Sequence, residues 1–127
     1  MIRPSIVKLA ETMAKKSASK TYPMGAVIFN KKRIISAGYN QSGKTHPMML
    51  QMNNPYIMGL HAEMHACIGV NPDDLKRASI CVVRLRKNSK YGLAKPCMKC
   101  LVFLTEVGIR KVIYSTNNST FETLKVY

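Results

Sequence analysis

Apolar residues near the start of the chain recur at helical spacing with Lys and Glu between them, a pattern typical of an amphipathic helix. The apolar positions are Ile6, Leu9, Ala10, Met13 and Ala14. Pro4 lies where the first turn of a helix accepts proline, because the amide there has no helical partner to lose. The pattern predicts a helix over residues 4–18.

Two runs rich in β-branched and aromatic residues follow this helix. They cover residues 24–29 (MGAVIF) and 33–39 (RIISAGY), and only the polar segment NKK separates them. A connection this short suits a hairpin, so we expect two antiparallel strands. Residues 40–59 mix Pro, Gly, Asn and Met without a period, and we interpret them as an irregular loop.

The second half of the chain alternates helical and strand patterns, which indicates an α/β domain with helices covering a sheet. Helices are predicted around HAEMHACIGV and at 97–107, and strands at 79–86, 110–115 and 120–127. Only four residues, TNNS, separate the last two strands, too few for a parallel crossover of about a dozen residues. We therefore expect a five-stranded mixed sheet that ends in a C-terminal β-hairpin.

Length and composition fit one packed core. The chain has 127 residues, of which 46% are hydrophobic, so we expect residues 1–127 to form a single domain. The longest apolar runs fall short of the roughly twenty residues of a membrane span, and we expect a cytoplasmic protein. In a reducing compartment its four Cys residues are thiols or metal ligands rather than a disulfide framework.

Charge adds an expectation about partners. The chain has 20 Lys and Arg against 6 Asp and Glu, a net charge of +14, which favours a polyanionic partner. The alternative is a solvated cationic surface with no specific partner. One cluster of cations consists of Arg84, Arg86, Lys87, Lys90, Lys95 and Lys99, and NKKR at 30–33 is another.

A set of metal-binding residue types lies in two short motifs, HAE at 61–63 and PCMKC at 96–100. Cys97 and Cys100 share one face near a helix start, where the helix dipole favours thiolates. His61 supplies a third ligand, and a catalytic zinc has three protein ligands with the fourth position left for water. Glu63 lies two residues beyond His61 and is a candidate proton carrier.

His-x-Glu followed by Pro-Cys-x-x-Cys resembles the cytidine/deoxycytidylate deaminase superfamily, and the resemblance extends to the segments GAV, GYN and GIRKVIY. It implies a three-layer α/β/α domain with zinc bound by His61, Cys97 and Cys100. It also implies that zinc makes hydroxide available near neutral pH for attack on cytosine, giving uracil and ammonia, while Glu63 carries the protons.

The resemblance also implies substrate contacts at Asn40, at the backbone of Ala62 and at Pro96. The substrate is expected to be cytosine in a nucleotide of the CMP, dCMP or cytidine type, or in single-stranded nucleic acid. The charge favours nucleic acid slightly. The residues expected to contact phosphate or nucleic acid are Arg84, Arg86, Lys87, Lys90 and Lys95.

Two positions differ from many members of the superfamily. His65 stands where many have Asn, and Lys95 stands where many have Ser or Thr. Both changes touch the rim of the expected site, so they concern substrate preference first. The resemblance further implies a homo-oligomer.

Other interpretations of the same residues remain open. His65, four residues after His61, could complete a closed zinc site with the two Cys residues, which would make the chain a non-enzymatic, zinc-stapled nucleic-acid-binding module. Cys67 and Cys81 lie in apolar runs and are interpreted as core thiols. His46 is interpreted as a loop histidine, although its loop could cover a pocket.

Overall fold

The computed structural model describes residues 2–17, 22–31, 33–41, 61–86 and 90–126. Helix α1 spans Pro4–Lys16 and begins with the proline that the sequence places there. It buries Ile6, Ala10 and Ala14 against the sheet. The predicted first helix is therefore confirmed, and it ends two residues earlier than expected.

Six strands form one mixed sheet. They are β1 (Met24–Asn30), β2 (Arg33–Tyr39), β3 (Ser79–Leu85), β4 (Tyr91–Gly92), β5 (Lys111–Ser115) and β6 (Phe121–Lys125). The spatial order is β2-β1-β3-β5-β6, with β4 paired to β3. Only β3 and β5 are parallel to each other, and every other pair is antiparallel.

Three further helices connect the later strands. They are α2 (Ala62–Cys67), α3 (Pro72–Leu75) and α4 (Met98–Val107). Helix α4 belongs to the crossover that allows β3 and β5 to run parallel, and it ends at Gly108, which has a left-handed φ of 98°. That conformation satisfies the last carbonyls of the helix and favours glycine.

The sheet separates two hydrophobic clusters. On one face α1 packs on Val27, Cys81 and Val83, and on the other face α2 and α4 cover residues that include Ile80 and Val112. The side chains alternate between these faces along each strand, as a half-buried or fully covered sheet requires. The result is the expected three-layer α/β/α arrangement.

Both predicted hairpins are confirmed by the strand pairing. Strands β1 and β2 are antiparallel across a short turn, and β5 and β6 are antiparallel across residues 116–120. Among the described residues, no helix has the length and apolar character needed to cross a membrane.

The prediction of five strands is incomplete, because it has no strand between the strand at 79–86 and the helix at 97–107. Strand β5 pairs only with Ser79–Val82 of β3, and the end of β3 extends beyond it. Tyr91 and Gly92 pair with Leu85 and Arg84 there and form the sixth strand. The short helix α3 is not among the predicted helices either. His46 and most of the predicted loop at 40–59 lie outside the described residues.

Two glycines allow the helices to approach the sheet closely. A Cβ atom on Gly25 would lie 2.1 Å from the Ala10 carbonyl oxygen of α1, and one on Gly38 would lie 2.5 Å from the Ala66 nitrogen of α2. Both neighbours are backbone atoms, so neither can move away without shifting its helix. Gly38 therefore sets the distance between β2 and α2.

We predict that Gly38→Ala destabilises the fold by about 1–3 kcal/mol, because an added methyl group overpacks the contact with α2. Chemical denaturation followed by circular dichroism measures this change. Thr123→Ala, an exposed change on β6, is the control and should leave the midpoint nearly unchanged. A Gly38→Ala protein with the wild-type midpoint would contradict the close approach.

Candidate metal centre

Three side chains from the two motifs converge at the N-termini of α2 and α4. The ligand atoms of His61, Cys97 and Cys100 all lie within 4.8 Å of one another. His61 is the N-cap residue of α2, and Cys97 is the N-cap residue of α4. In the described part of the chain, this is the one cluster of three or more His, Cys, Asp or Glu residues that could hold a metal.

The donor set and its spacing fit zinc. The Nδ1 atom of His61 lies 3.2 Å from Sγ of Cys100. Ligand atoms around a tetrahedral zinc lie roughly 3.3–3.8 Å apart, given Zn–S distances of about 2.3 Å and Zn–N distances of about 2.0–2.1 Å. One nitrogen and two sulfur donors form three corners of such a site, and no fourth His, Cys or carboxylate of the described residues joins the cluster.

The ligands at the two helix N-termini do not act as helix caps. Neither His61 nor Cys97 makes the usual side-chain cap hydrogen bond to a backbone amide of its own helix, although an N-cap side chain commonly does so. Both side chains are thus available to a metal. The positive end of the α4 dipole also stabilises negative charge on the two sulfur atoms.

The two cysteines differ in their protonation. Hydrogen bonds from the Cys100 thiol and from His61 lower the pKa of Cys97 to about 4. The same bond to Cys97, together with burial, raises the pKa of Cys100. Without a metal, Cys97 is therefore a thiolate and Cys100 a thiol, and a metal binding to both must displace the Cys100 proton.

Glu63 lies beside the cluster without being part of it. Its side chain is only 3% exposed, and burial raises the pKa of its carboxyl group. The carboxyl group interacts with the Cys100 thiol and with the charge of His61. A carboxyl group whose pKa is raised binds a proton more readily than an exposed carboxyl group does, which suits a proton carrier.

His65 faces away from the three ligands. Its Nδ1 atom accepts a hydrogen bond from the Tyr39 amide at 2.9 Å, and its ring packs edge-on against the Tyr39 ring at 4.9 Å. The Gln41 side chain lies 3.3 Å from the same nitrogen. His65 thus fastens α2 to the end of β2, and the closed four-ligand site is not the observed arrangement.

Of the residues predicted to contact the substrate, Asn40 has hydrogen-bond partners within the protein. Its Oδ1 accepts the Met24 amide at 3.0 Å, and its Nδ2 donates to the Tyr22 carbonyl at 2.7 Å. Ala62 and Pro96 are buried next to His61 and Cys97 in sequence. The part that these three residues play in substrate binding stays a prediction.

The predicted phosphate contacts separate into two groups. The Arg84 guanidinium stacks on the Tyr22 ring at 4.1 Å, and Arg86 donates to the carbonyl groups of Tyr91 (2.8 Å) and Asn117 (3.0 Å). These two arginines therefore support the protein structure. Lys90 and Lys95 are exposed, and Lys87 lies outside the described residues.

The sequence pattern does not single out Asn117, one of the partners of Arg86. Asn117 also accepts the Leu93 amide at 2.9 Å through Oδ1, so it joins the β5–β6 turn to the segment that leads to α4. The residues in contact are more than twenty positions apart along the chain, and a sequence pattern does not relate them. Cys67 and Cys81 are buried as predicted, and burial raises the pKa of each to about 12.

Comparison with known proteins gives a consistent result. The model of the cytidine and deoxycytidylate deaminase zinc-binding region matches residues 3–116. Deoxycytidylate deaminase from Saccharomyces cerevisiae is 26% identical over 135 residues, which cover 98% of this chain and 43% of the yeast protein. The chain thus spans less than half the length of that curated relative.

Two solved structures share the fold. Cytidine deaminase from Burkholderia pseudomallei has a TM-score of 0.68 at 16% identity, covering 99% of this chain and 94% of its own. The dCMP deaminase from cyanophage S-TIM5 has a TM-score of 0.62 at 19% identity, covering 91% and 86%. At these identities the likeness concerns the α/β/α architecture.

We predict that alkylation of the thiols will distinguish the four cysteines. In zinc-free protein, iodoacetamide should modify Cys97 first, because it is exposed and its pKa is about 4. Its rate should change little between pH 8 and pH 5, whereas a thiol of ordinary pKa loses about tenfold per pH unit. Cys67 and Cys81 should stay unmodified until the protein unfolds.

Peptide mass spectrometry measures each site separately. Zinc added before the reagent should protect Cys97, because a ligating thiolate is no longer free to react. Cys97 labelling that proceeds equally fast with and without zinc would contradict the assignment of Cys97 as a ligand.

Proposed function

The chain belongs to the cytidine and deoxycytidylate deaminase zinc-binding family, and on that premise we propose that it hydrolytically deaminates the cytosine base of a nucleotide. The observation that carries the proposal is the buried Glu63 carboxyl group beside the His61, Cys97 and Cys100 cluster. Three ligands and one adjacent proton carrier are the minimum that this hydrolysis needs.

Each residue of the centre has one task in this proposal. His61, Cys97 and Cys100 hold zinc, which when bound supplies the positive charge that allows a water molecule to ionise near neutral pH. Glu63 accepts the proton of that water, transfers it to the ring nitrogen of cytosine and protonates the departing amine. Its buried position keeps competing water away from the carboxyl group.

The orientation of His65 supports an enzyme over a zinc-stapled binding module. A structural zinc site has four protein ligands, whereas a catalytic site keeps one position for water or substrate. His65 is the nearest additional imidazole in sequence, and it hydrogen-bonds to β2 instead. A zinc ion held by His61, Cys97 and Cys100 would therefore have no fourth protein ligand among the described residues.

We propose a cytosine mononucleotide of the dCMP type as the substrate. Deoxycytidylate deaminase of yeast is a relative along nearly all of this chain, which supports a monophosphate over a free nucleoside. Lys95 is exposed and only two residues from Cys97, and we propose that it contacts the phosphate group. Cytosine in single-stranded nucleic acid is the second candidate, and the net charge of +14 favours it.

We also propose that the active protein is a homo-oligomer. Met98 and Val102 lie one turn apart on α4 and are 74% and 49% exposed. A second copy of the chain that packs on this part of α4 would remove both apolar side chains from water.

Glu63→Gln should retain zinc and reduce kcat by about 10²–10⁴-fold, because the amide cannot accept or deliver a proton. Uracil formation measured by chromatography gives the rate, and metal analysis of the same sample gives the zinc content. Glu106→Gln, an exposed change on α4, is the matched control and should behave as wild type. Full activity of the Glu63→Gln protein would remove the proposed mechanism.

Lys95→Glu should lower kcat/KM for dCMP by roughly tenfold, because the contact with a charged phosphate is lost. The value for deoxycytidine, which has no phosphate, should stay close to that of wild type. Lys99→Glu changes an exposed lysine four residues further along and is the control. An equal loss on both substrates would show that Lys95 does not read the phosphate.

A further inference from the structure

A groove lies on the face of the sheet opposite to the metal centre. It has a volume of about 390 Å³, and we call it the β5–β6 groove. Phe29, Ile113 and Phe121 provide apolar surface, and Arg3, Lys31 and Lys111 provide positive charge. Phe29 and Ile113 belong to the hydrophobic cluster under α1, and Phe121 packs against that cluster.

The groove exists because α1 does not extend over the whole sheet. Helix α1 packs mainly on β1, β2 and β3. Side chains on the same face of β5 and β6, such as Ile113 and Phe121, lie beyond these strands. Ile113 is 6% exposed, whereas Phe121 is half-buried and packs edge-on against Tyr91 at 5.5 Å.

The charge at the groove has one sign. None of the six acidic residues of the chain lines it. Glu11 accepts a hydrogen bond from the Tyr91 hydroxyl, Glu122 accepts one from the Tyr114 hydroxyl, and Glu63 lies in the metal centre. Three cations beside an aromatic surface, with no carboxylate among the described lining residues, form a site for an anion that also carries an apolar or aromatic part.

Charge complementarity decides between the possible occupants. A second copy of this chain also carries a net charge of +14, so two copies repel each other at a cationic surface. A single nucleic-acid strand carries one negative charge for each phosphate and exposes flat bases. Proteins bind such strands through positively charged grooves with aromatic side chains on which bases stack.

We propose that the β5–β6 groove binds single-stranded nucleic acid. Lys31, Lys111 and Arg3 contact successive phosphates, and a base rests against Phe121. This surface is separate from the deaminase centre, which lies under the other face of the sheet. The proposal does not depend on the proposed activity, because binding can be measured without turnover.

A second basic pocket provides the comparison. It has a volume of about 680 Å³ and is lined by Lys76, Arg77, Arg110 and Glu106 among others. It differs from the groove in two respects: Glu106 is a lining residue, and Lys76 already pairs with Asp73 at 3.5 Å. None of the described residues that line this pocket is aromatic. We therefore expect it to contribute only general attraction.

The test measures fluorescence anisotropy of a labelled 12-residue oligothymidylate with zinc-loaded protein at several salt concentrations. The double variant Lys31→Glu, Lys111→Glu should bind at least tenfold more weakly than wild type. The slope of log affinity against log salt should become shallower by about 1.4, since each phosphate contact on a single strand contributes about 0.7.

The control is the double variant Arg77→Glu, Arg110→Glu, which changes the net charge by the same amount at the second pocket. Its affinity should fall by less than threefold. Phe121→Leu should weaken binding severalfold and leave the salt slope unchanged, because it removes stacking and no charge. Circular dichroism and turnover of dCMP, where it occurs, show that each variant is folded.

Three results would overturn the proposal. The first is equal weakening by the two double variants, which would mean that total charge alone governs binding. The second is a wild-type protein that does not bind the oligonucleotide at 50 mM salt. The third is displacement of the strand by dCMP at a dCMP concentration equal to the total phosphate concentration of the strand. That result would indicate a pocket for a mononucleotide. A wild-type protein that binds the oligonucleotide but does not deaminate dCMP would contradict only the proposed function.

Discussion

The meeting of two helix N-termini over one face of the sheet is the constraint on which the metal centre depends. His61 and Cys97 occupy N-cap positions, where a side chain normally satisfies the free amides of its own helix. Here both side chains turn toward each other, and Cys100 completes the set from the first turn of α4. Neither helix has the usual side-chain cap hydrogen bond, and the positive ends of the helix dipoles stabilise the sulfur ligands.

That meeting requires both helices to be held firmly on the sheet. Gly38 lets α2 lie almost in backbone contact with β2. At the next residue of β2, Tyr39 contacts His65 and fastens the same two elements together. Helix α4 is positioned by the parallel pairing of β3 with β5, because it lies in the crossover between them. His65 thus has a structural task, the fastening of α2 to β2, which its position in the motif does not disclose.

The sequence predicts features that depend on local spacing and misses those that depend on distant partners. The hairpins follow from connections of a few residues, and the cysteines three residues apart at a helix start share one face. Strand β4 follows instead from the unequal lengths of β3 and β5. The structural roles of Asn40 and Arg86 cannot be predicted from local spacing either. Asn40 accepts a hydrogen bond from Met24, sixteen positions away, and Arg86 donates one to Asn117, thirty-one positions away.

Net charge alone does not identify the substrate, because the fold decides where the charge is used. Of the cations clustered at 84–99, Arg84 and Arg86 are engaged by Tyr22, Tyr91 and Asn117, so fewer remain at the rim of the centre than the sequence suggests. A single exposed lysine such as Lys95 suffices for one phosphate group. Most of the positive charge therefore lies on other surfaces of the protein. On the opposite face of the sheet, the described residues of the β5–β6 groove combine cations with aromatic side chains. In these two proposals the faces of the sheet bind different anions: a small nucleotide beside the metal ligands and a longer polymer away from them.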